Sequence, residues 1–475
     1  MTIAQYPRGR RVIYSSAETV TAANVMEVLE AALAIHDKNA NEIDYLYRYY
    51  KGEQPILNRI KEFRPEINNK IVENHALEIV DFKKGHIFGE PVQYVVRGER
   101  VGVSEQIAQL NEFMFTEDKA ARDKELAEWF FITGTSYRLI LPDSFLGLQT
   151  DESPFEIATL DPRHTFVIYN YRFNKKPLMA VTRFVKENGD MVYSIYTPRT
   201  YFEIESTKFS GMSITKLENH VLNDIPIIEY PANMNRLGAF EVVLPLLDAI
   251  NLVISNRLDG IEQFVQSFLK FVNCDIDEDK FFALRELGAL LIKSSAGLPA
   301  DVDIISEELD QTQTQVTKDD LYQAVLTICS IPDRQGGFKA SSDTGAAVSL
   351  RDGWAAAEVS AKDIETVFKS ADRKFLRLAL NIVSTNIPQF KISLKDISIK
   401  FTRNRTDNFL VKTQGLQGLL TSGVHPRIAL ATSGLFSDPE QVYVDSMEYL
   451  EKWKESEKET KPEDNFPIEG VMNQL

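Results

Sequence analysis

Residues 243–268 read Val-Leu-Pro-Leu-Leu-Asp-Ala-Ile-Asn-Leu-Val-Ile-Ser-Asn-Arg-Leu-Asp-Gly-Ile-Glu-Gln-Phe-Val-Gln-Ser-Phe. Val243, Leu247, Ile250, Ile254, Leu258, Ile261, Val265 and Phe268 recur at steps of three or four, so they line one face of a helix roughly 40 Å long at about 1.5 Å per residue. Proline is tolerated only in a first turn, which sets the start of this helix around Leu244.

Downstream, two further helices are expected. A helix is expected from about Thr312 to Ser330, ended by Ile331-Pro332, and a third long one carries Ala357, Ala361, Ile364, Phe368, Ala371, Phe375, Leu378 and Ile382 before Asn386-Ile387-Pro388 breaks it. Between these two, Asp333 to Gly345 holds three glycines and no period, and reads as a loop. Between the first two, Cys274 to Leu309 reads as a small insert. Its expected elements are a helix at Asp277 to Leu287, a strand at Ala289 to Lys293, a break at Gly297-Leu298-Pro299 and a strand at Val302 to Ile305.

Upstream, the first ~20 residues lack periodicity. Helical spacing then runs from Val25 through Leu46, with a turn at Tyr49-Tyr50-Lys51-Gly52. A buried helix is expected over Asn69 to His86, then a strand at Val92 to Val96 and a helix over Ala120 to Thr133 that stops at Gly134. From Tyr137 to Tyr230 the pattern changes to β-branched and aromatic runs: Arg138 to Leu141, Thr165 to Tyr169, Ala180 to Val185, Val192 to Tyr196 and Phe202 to Ile204. Lys186 to Asp190 is a hairpin loop, and the section reads as an antiparallel β domain. After a strand at Ile397 to Phe401, shorter helices are expected at Leu410 to Ser422, Pro426 to Ser433 and Pro439 to Trp453, before a polar tail from Lys454.

A chain of 475 residues exceeds one compact core, and 44% hydrophobic with 26% charged residues is ordinary globular usage. No run approaches the roughly 18 apolar residues of a membrane span, and no apolar stretch follows the basic residues at the start. Cys274 and Cys329 offer neither a disulfide framework nor metal-ligand spacing. A net charge of −16 argues against a surface that grips phosphates throughout, so any contact with DNA is expected to be loose.

Catalytic patterns are missing. There is no phosphate-binding loop of the G-x-x-x-x-G-K-[ST] form, no H-E-x-x-H, no G-x-S-x-G and no paired C-x-x-C. The stretch Gly336 to Ser341 has the wrong glycine spacing for a phosphate cradle and follows a helix rather than a strand. His36, His75, His86, His164, His220 and His425 are scattered without ligand spacing, and nothing calls for a metal or a cofactor. Long helices whose apolar stripes exceed what one chain can cover point to packing against further copies in a closed ring, while an ordinary helical hairpin in a monomer fits the pattern equally. Three classes therefore remain: a ring conducting DNA, a monomeric adaptor module, and a hydrolase using carboxylates within 137–230.

Short motifs in fixed order discriminate among them. Tyr49-Tyr50-Lys51-Gly52, Asn68-Asn69-Lys70, Asn74 and Lys83-Lys84-Gly85-His86-Ile87-Phe88-Gly89-Glu90-Pro91-Val92-Gln93-Tyr94 resemble the N-terminal signature of portal proteins from long-tailed phages of Gram-positive hosts. Leu246-Leu247-Asp248-Ala249-Ile250-Asn251 resembles that family's outer stem start. Ile331-Pro332-Asp333 and Ser342-Asp343-Thr344-Gly345-Ala346-Ala347 resemble its inner-stem end and the approach to the next helix. The family often has Asn two residues before a Ser-Gly pair, whereas Ser342 precedes Asp343-Thr344-Gly345 here, which blurs that loop boundary.

The resemblance implies a mainly helical, multi-domain α+β fold assembling into a ring, typically of a dozen subunits. It divides the chain into a wing (1–239), an outer stem helix (240–272), a clip (273–310) and an inner stem helix (311–332). A tunnel loop (333–346), a long kinked helix (347–385), a returning wing strand (386–409), and a crown with the C-terminal tail (410–475) complete it. It further implies a non-enzymatic portal at one capsid vertex of the virion, assembled in the host cytoplasm, through which double-stranded DNA passes without sequence preference. Terminase, and later a head-completion adaptor, would dock on clip residues Asp275, Asp277, Glu278, Lys280, Arg285 and Lys293; major capsid and scaffolding proteins are further partners. Arg334 and Lys339 become candidates for brief phosphate contacts, with Gln335 and Phe338 as neutral ones. Pairing of either basic residue with Asp333 or Asp343 is the alternative.

Overall fold

The computed structural model describes residues 6–97, 102–142, 153–207, 211–265, 268–272, 301–305, 311–333, 353–403, 409–436, 439, 442–447 and 449. The fold is α+β and about 51% helical. It opens with strand β1 (Ile13–Ser15) and helices α1 (Val25–Tyr50) and α2 (His75–Phe88), followed by β2 (Gln93–Val96), α3 (Val103–Thr116) and α4 (Lys119–Thr133). α4 ends where expected. Gly134 adopts φ 77°, and a Cβ there would lie 2.2 Å from the carbonyl oxygen of Arg236, so only glycine fits this crossing.

The expected β domain comprises β3 (Thr135–Pro142), β4 (Phe155–Leu160), β5 (Thr165–Asn170), β6 (Pro177–Val185), β7 (Met191–Tyr196), β8 (Thr200–Thr207), β9 (Gly211–Asn219) and β10 (Ile227–Pro231). These form a six-stranded sheet ordered β1-β5-β6-β7-β8-β9 and a three-stranded sheet ordered β10-β3-β4. The hairpin at 186–190 closes with the Asp190 carbonyl accepting from the Lys186 N–H at 2.8 Å. One pairing departs from the antiparallel expectation: β1 runs parallel to β5, with Ile13 opposite Ile168. Three residues are too few to display an alternation, so β1 left no trace in the pattern. α1 packs on this sheet through Val25, Leu29 and Leu33, which meet Ile168, Val181 and Phe202.

The long helix is α5 (Leu244–Val265), and it begins where Pro245 requires. It stops short of Phe268, which instead opens β11 (Phe268–Val272), paired antiparallel with β12 (Asp301–Ile305). The expected helix Asp277 to Leu287 and strand Ala289 to Lys293 lie outside the described residues. α6 (Gln311–Cys329) and α7 (Trp354–Asn386) follow, then β13 (Ile397–Lys400), α8 (Phe409–Thr421) and α9 (Pro426–Ser433); residues 442–447 are helical within the expected Pro439 to Trp453. β13 returns to pair with β2. α7 crosses the core, where Phe368 stacks edge-on against Phe88 and Phe130.

A second correction concerns Asn69 to His86. The helix there is α2, starting only at His75, with Asn74 as its cap: the Asn74 side chain accepts from the Leu77 N–H at 3.3 Å. Residues 69–73 are an extended arm laid along α5. The helix runs on through Gly85 to Phe88, and Gly89 is its C-cap.

Candidate functional site

The tunnel-loop candidates Arg334, Gln335, Phe338 and Lys339, and the clip candidates Asp275, Asp277, Glu278, Lys280, Arg285 and Lys293, lie outside the described residues. What can be built is the pair of helices leading to them, α5 and α6, and the junction that holds both to the rest of the chain. Asp333, at the loop's edge, accepts from the Gln323 side chain at 2.8 Å.

Along α5, Asn251, Ser255 and Asp259 are spaced four apart and so share one face. All three are buried. Buried polar side chains require partners, and these are backbone N–H groups of the arm. Asn251 accepts from Glu73 at 2.8 Å, Ser255 from Ile71 at 3.0 Å and Asp259 from Asn69 at 2.7 Å. Alternate residues of the arm thus dock on every fourth residue of the helix. Arg59 and Lys61 add ion pairs to Asp259 at 3.2 and 3.0 Å. Burial works against the Asp259 charge, but the Asn69 N–H bond and Lys61 outweigh it and hold the carboxyl below its usual range.

The same junction gathers the signature residues. Gln54 bridges Asn74 and Asn251, and Asp248 accepts from the hydroxyls of Tyr6 and Tyr49 at 2.6 and 2.8 Å. Burial pushes the Asp248 carboxyl up, only partly offset by those two hydroxyls. On α6, Lys318 pairs with Glu73 at 3.0 Å and the Tyr322 hydroxyl donates to Glu78 at 2.9 Å. His75 sits between, its ring nitrogens 3.1 Å from Glu73 and 2.8 Å from Glu78. Burial opposes a charged imidazole, yet the two carboxylates prevail and raise its pKa to about 9.

The core beneath the junction is also charged. Arg138 is fully buried against Asp123 and Asp372, Lys119 donates to Asp123 at 2.6 Å, and Tyr94 and Tyr230 donate to Asp372 at 2.9 and 3.0 Å. Two cations and two anions cancel, tying α4, β3, β10, β2 and α7 together. Within the span proposed for a hydrolase, the buried carboxylate Glu229 is committed to Arg236, Thr135 and Tyr169. The cavity beside it measures about 10 Å³, too small for a substrate.

The faces of α6 differ sharply. Val325, Leu326 and Cys329 are buried, whereas Thr312, Gln313, Val316, Thr317, Asp319, Asp320, Gln323, Thr327 and Ile328 are exposed. That exposed face carries two carboxylates and no basic residue, because Lys318, the helix's one basic residue, turns to Glu73. The α5 stripe, expected to exceed what one chain can cover, is buried at Leu247 and Ile250 and exposed at Ile261.

Sequence reasoning passed over Gln54, Ser255, Asp259 and His75. The signal was present in the i, i+4, i+8 spacing of Asn251, Ser255 and Asp259, but such a row is normally a solvated helix face. No curated protein matches the chain. The family described as phage portal protein, SPP1 Gp6-like, matches residues 29–463, nearly its whole length. With its signature residues converging on one buried junction between the arm and α5, the chain belongs to the phage portal protein family.

Proposed function

We propose that this portal subunit forms, with further copies, the ring that conducts double-stranded DNA at the capsid vertex, and that the exposed face of α6 lines its channel. Family membership carries the role in DNA packaging. The observation that carries the finer reading is the α6 face, with Asp319 and Asp320 exposed among neutral Thr and Gln and its single lysine turned inward. A wall studded with Lys or Arg would release counterions from DNA, bind it and stall it, whereas a weakly repulsive wall lets it slide.

In this reading residues 273–310, which include β12, form the clip, on which terminase and afterwards a head-completion adaptor dock, with ATP hydrolysis supplied by the motor. Arg334 and Lys339 make transient phosphate contacts from the loop between α6 and α7. Light scattering with negative-stain imaging of the purified protein should show a ring of about a dozen copies; a species that stays monomeric when co-expressed with its capsid proteins would refute it. Within rings, Asp319→Lys with Asp320→Lys should leave assembly intact, create salt-sensitive DNA binding and slow packaging. Replacing Arg334 and Lys339 with Ala should alter packaging or DNA retention while rings still form.

A further inference from the structure

Residues 6–15 form a strap that runs from the root of α5 to the edge of the six-stranded sheet, ahead of the span that matches the family. Its backbone is held at successive points. The Gly9 N–H donates to Glu241 at 2.6 Å, the Arg10 N–H to the Asn235 carbonyl at 3.1 Å and the Arg11 N–H to the Asn39 side chain at 3.0 Å. The Asn39 amide returns to the Arg11 carbonyl at 2.9 Å, so one side chain meets both the donor and the acceptor of a single residue, as a neighbouring strand would. Ile13, Tyr14 and Ser15 then add a strand to β5. Side chains supply the selectivity: Arg10 pairs with the buried Glu241, Arg11 with Glu42 at 2.8 Å, and the Tyr6 hydroxyl reaches Asp248. Strand addition at a sheet edge, with backbone bonds for affinity and side-chain sites for specificity, is how folded domains take up extended peptides.

The strap is seated without being built into a core. Ile13 is its one buried apolar side chain. Its polar bonds are exchanged for bonds to water on release, so the net hold of each is modest. The fit turns on Gly9, where φ is 77° and a Cβ would lie 2.1 Å from the Asn235 carbonyl oxygen. Residues 16–24, which join the strap to α1, contain neither helix nor strand and can span about 30 Å, so the strap can leave its seat while still attached.

We propose that β5, Asn39, Glu42, Glu241 and Asp248 form a binding site for an extended, arginine-bearing peptide, and that its ligand is the chain's own strap, which unseats and reseats as a unit. The channel reading of α6 plays no part in this. A protease site inserted between Glu18 and Thr19, both exposed, allows the strap to be cut from the otherwise full-length protein. After cutting and dialysis the protein should keep its wild-type circular dichroism and bind a fluorescent peptide of residues 1–18 saturably. The uncut chain, whose tethered strap competes at high effective concentration, should bind that peptide at least tenfold more weakly. Within the peptide, Gly9→Ala should weaken binding at least tenfold, whereas Arg8→Ala, at an exposed position, should leave it unchanged. Loss of the fold on cutting would make the strap a fixed part of the core and overturn the proposal. So would no uptake of peptide by the cut protein, equal uptake by cut and uncut protein, undiminished binding of the Gly9→Ala peptide, or an equal loss with Arg8→Ala.

Discussion

Asn69 gives both its backbone N–H and its side-chain amide to one carboxylate oxygen of Asp259, at 2.7 and 2.9 Å, while Arg59 and Lys61 hold the other. One carboxylate therefore closes the arm, residues 59–61 and α5 into a single joint. Asp259→Asn should cost about 1.5–3 kcal/mol at neutral pH, the range for hydrogen bonds to a charged group. Because the folded-state pKa lies below the usual carboxylate value, the wild-type advantage is present above about pH 4 and is lost as pH falls through the folded value. Urea unfolding of both proteins at pH 7 and pH 3 checks this, and an advantage that persists unchanged at pH 3 would contradict it.

Ser255→Ala leaves the Ile71 N–H buried without its acceptor. The expected loss is about 1–3 kcal/mol, with no change in the denaturant slope, since a single donor is orphaned and the exposed surface is unaltered. Ser255→Thr, which retains the hydroxyl, should recover part of the loss. If the alanine variant were as stable as wild type, water would have to reach that N–H.

His75 has the opposite pH sign from Asp259. Its pKa, raised to about 9 between Glu73 and Glu78, means that its contribution is complete below about pH 6.5, the unfolded value, and is lost as pH rises through 9. His75→Gln should remove this loss, so thermal unfolding between pH 6.5 and 9.5 should fall more steeply for wild type than for the variant. Parallel curves would mean the imidazole is not charged in the folded protein.

In the buried cluster, Asp123→Ala strips Arg138 and Lys119 of a shared partner and should cost about 3–5 kcal/mol, the usual penalty for an uncompensated buried charge. Replacing Arg138, Lys119, Asp123 and Asp372 together by apolar residues of similar size should cost much less. The contrast between the single and quadruple variants, measured by chemical denaturation, separates the value of the cluster from the penalty of breaking it.

Legibility in the sequence followed length and partner. α5 and α7 each repeat one period over many residues, α6 is bounded by Ile331-Pro332, and five strands announced themselves through aromatic and β-branched runs, so these were readable in advance. β1 is three residues long and owes its place to β5. The arm misled because Ile71-Val72 and Leu77 keep helical spacing, while its N–H groups bond sideways to α5 instead of along a helix. Phe268 continued a helical stripe by chance of spacing and belongs to a strand. At the site, family motifs marked Tyr49, Asn69, Asn74, Asp248 and Asn251, but not that they meet. Only the fold brings residues about 200 positions apart, such as Tyr49 and Asp248, into one hydrogen bond.

The arm and α5 also form a vernier. Four residues of helix advance about 6.0 Å, whereas two residues of strand advance about 6.6–6.8 Å, so each rung drifts by about 0.7 Å. Three rungs absorb that drift. A fourth would be displaced by about 2 Å, beyond hydrogen-bond tolerance, and the chain turns back there, with the Ile67 N–H bonded to the Arg64 carbonyl instead. Sliding the arm one notch up the helix would set Glu73 against Leu247, which has no side-chain acceptor to offer. The joint thus has three teeth, and a slip toward the start of α5 would leave one of them with nothing to engage.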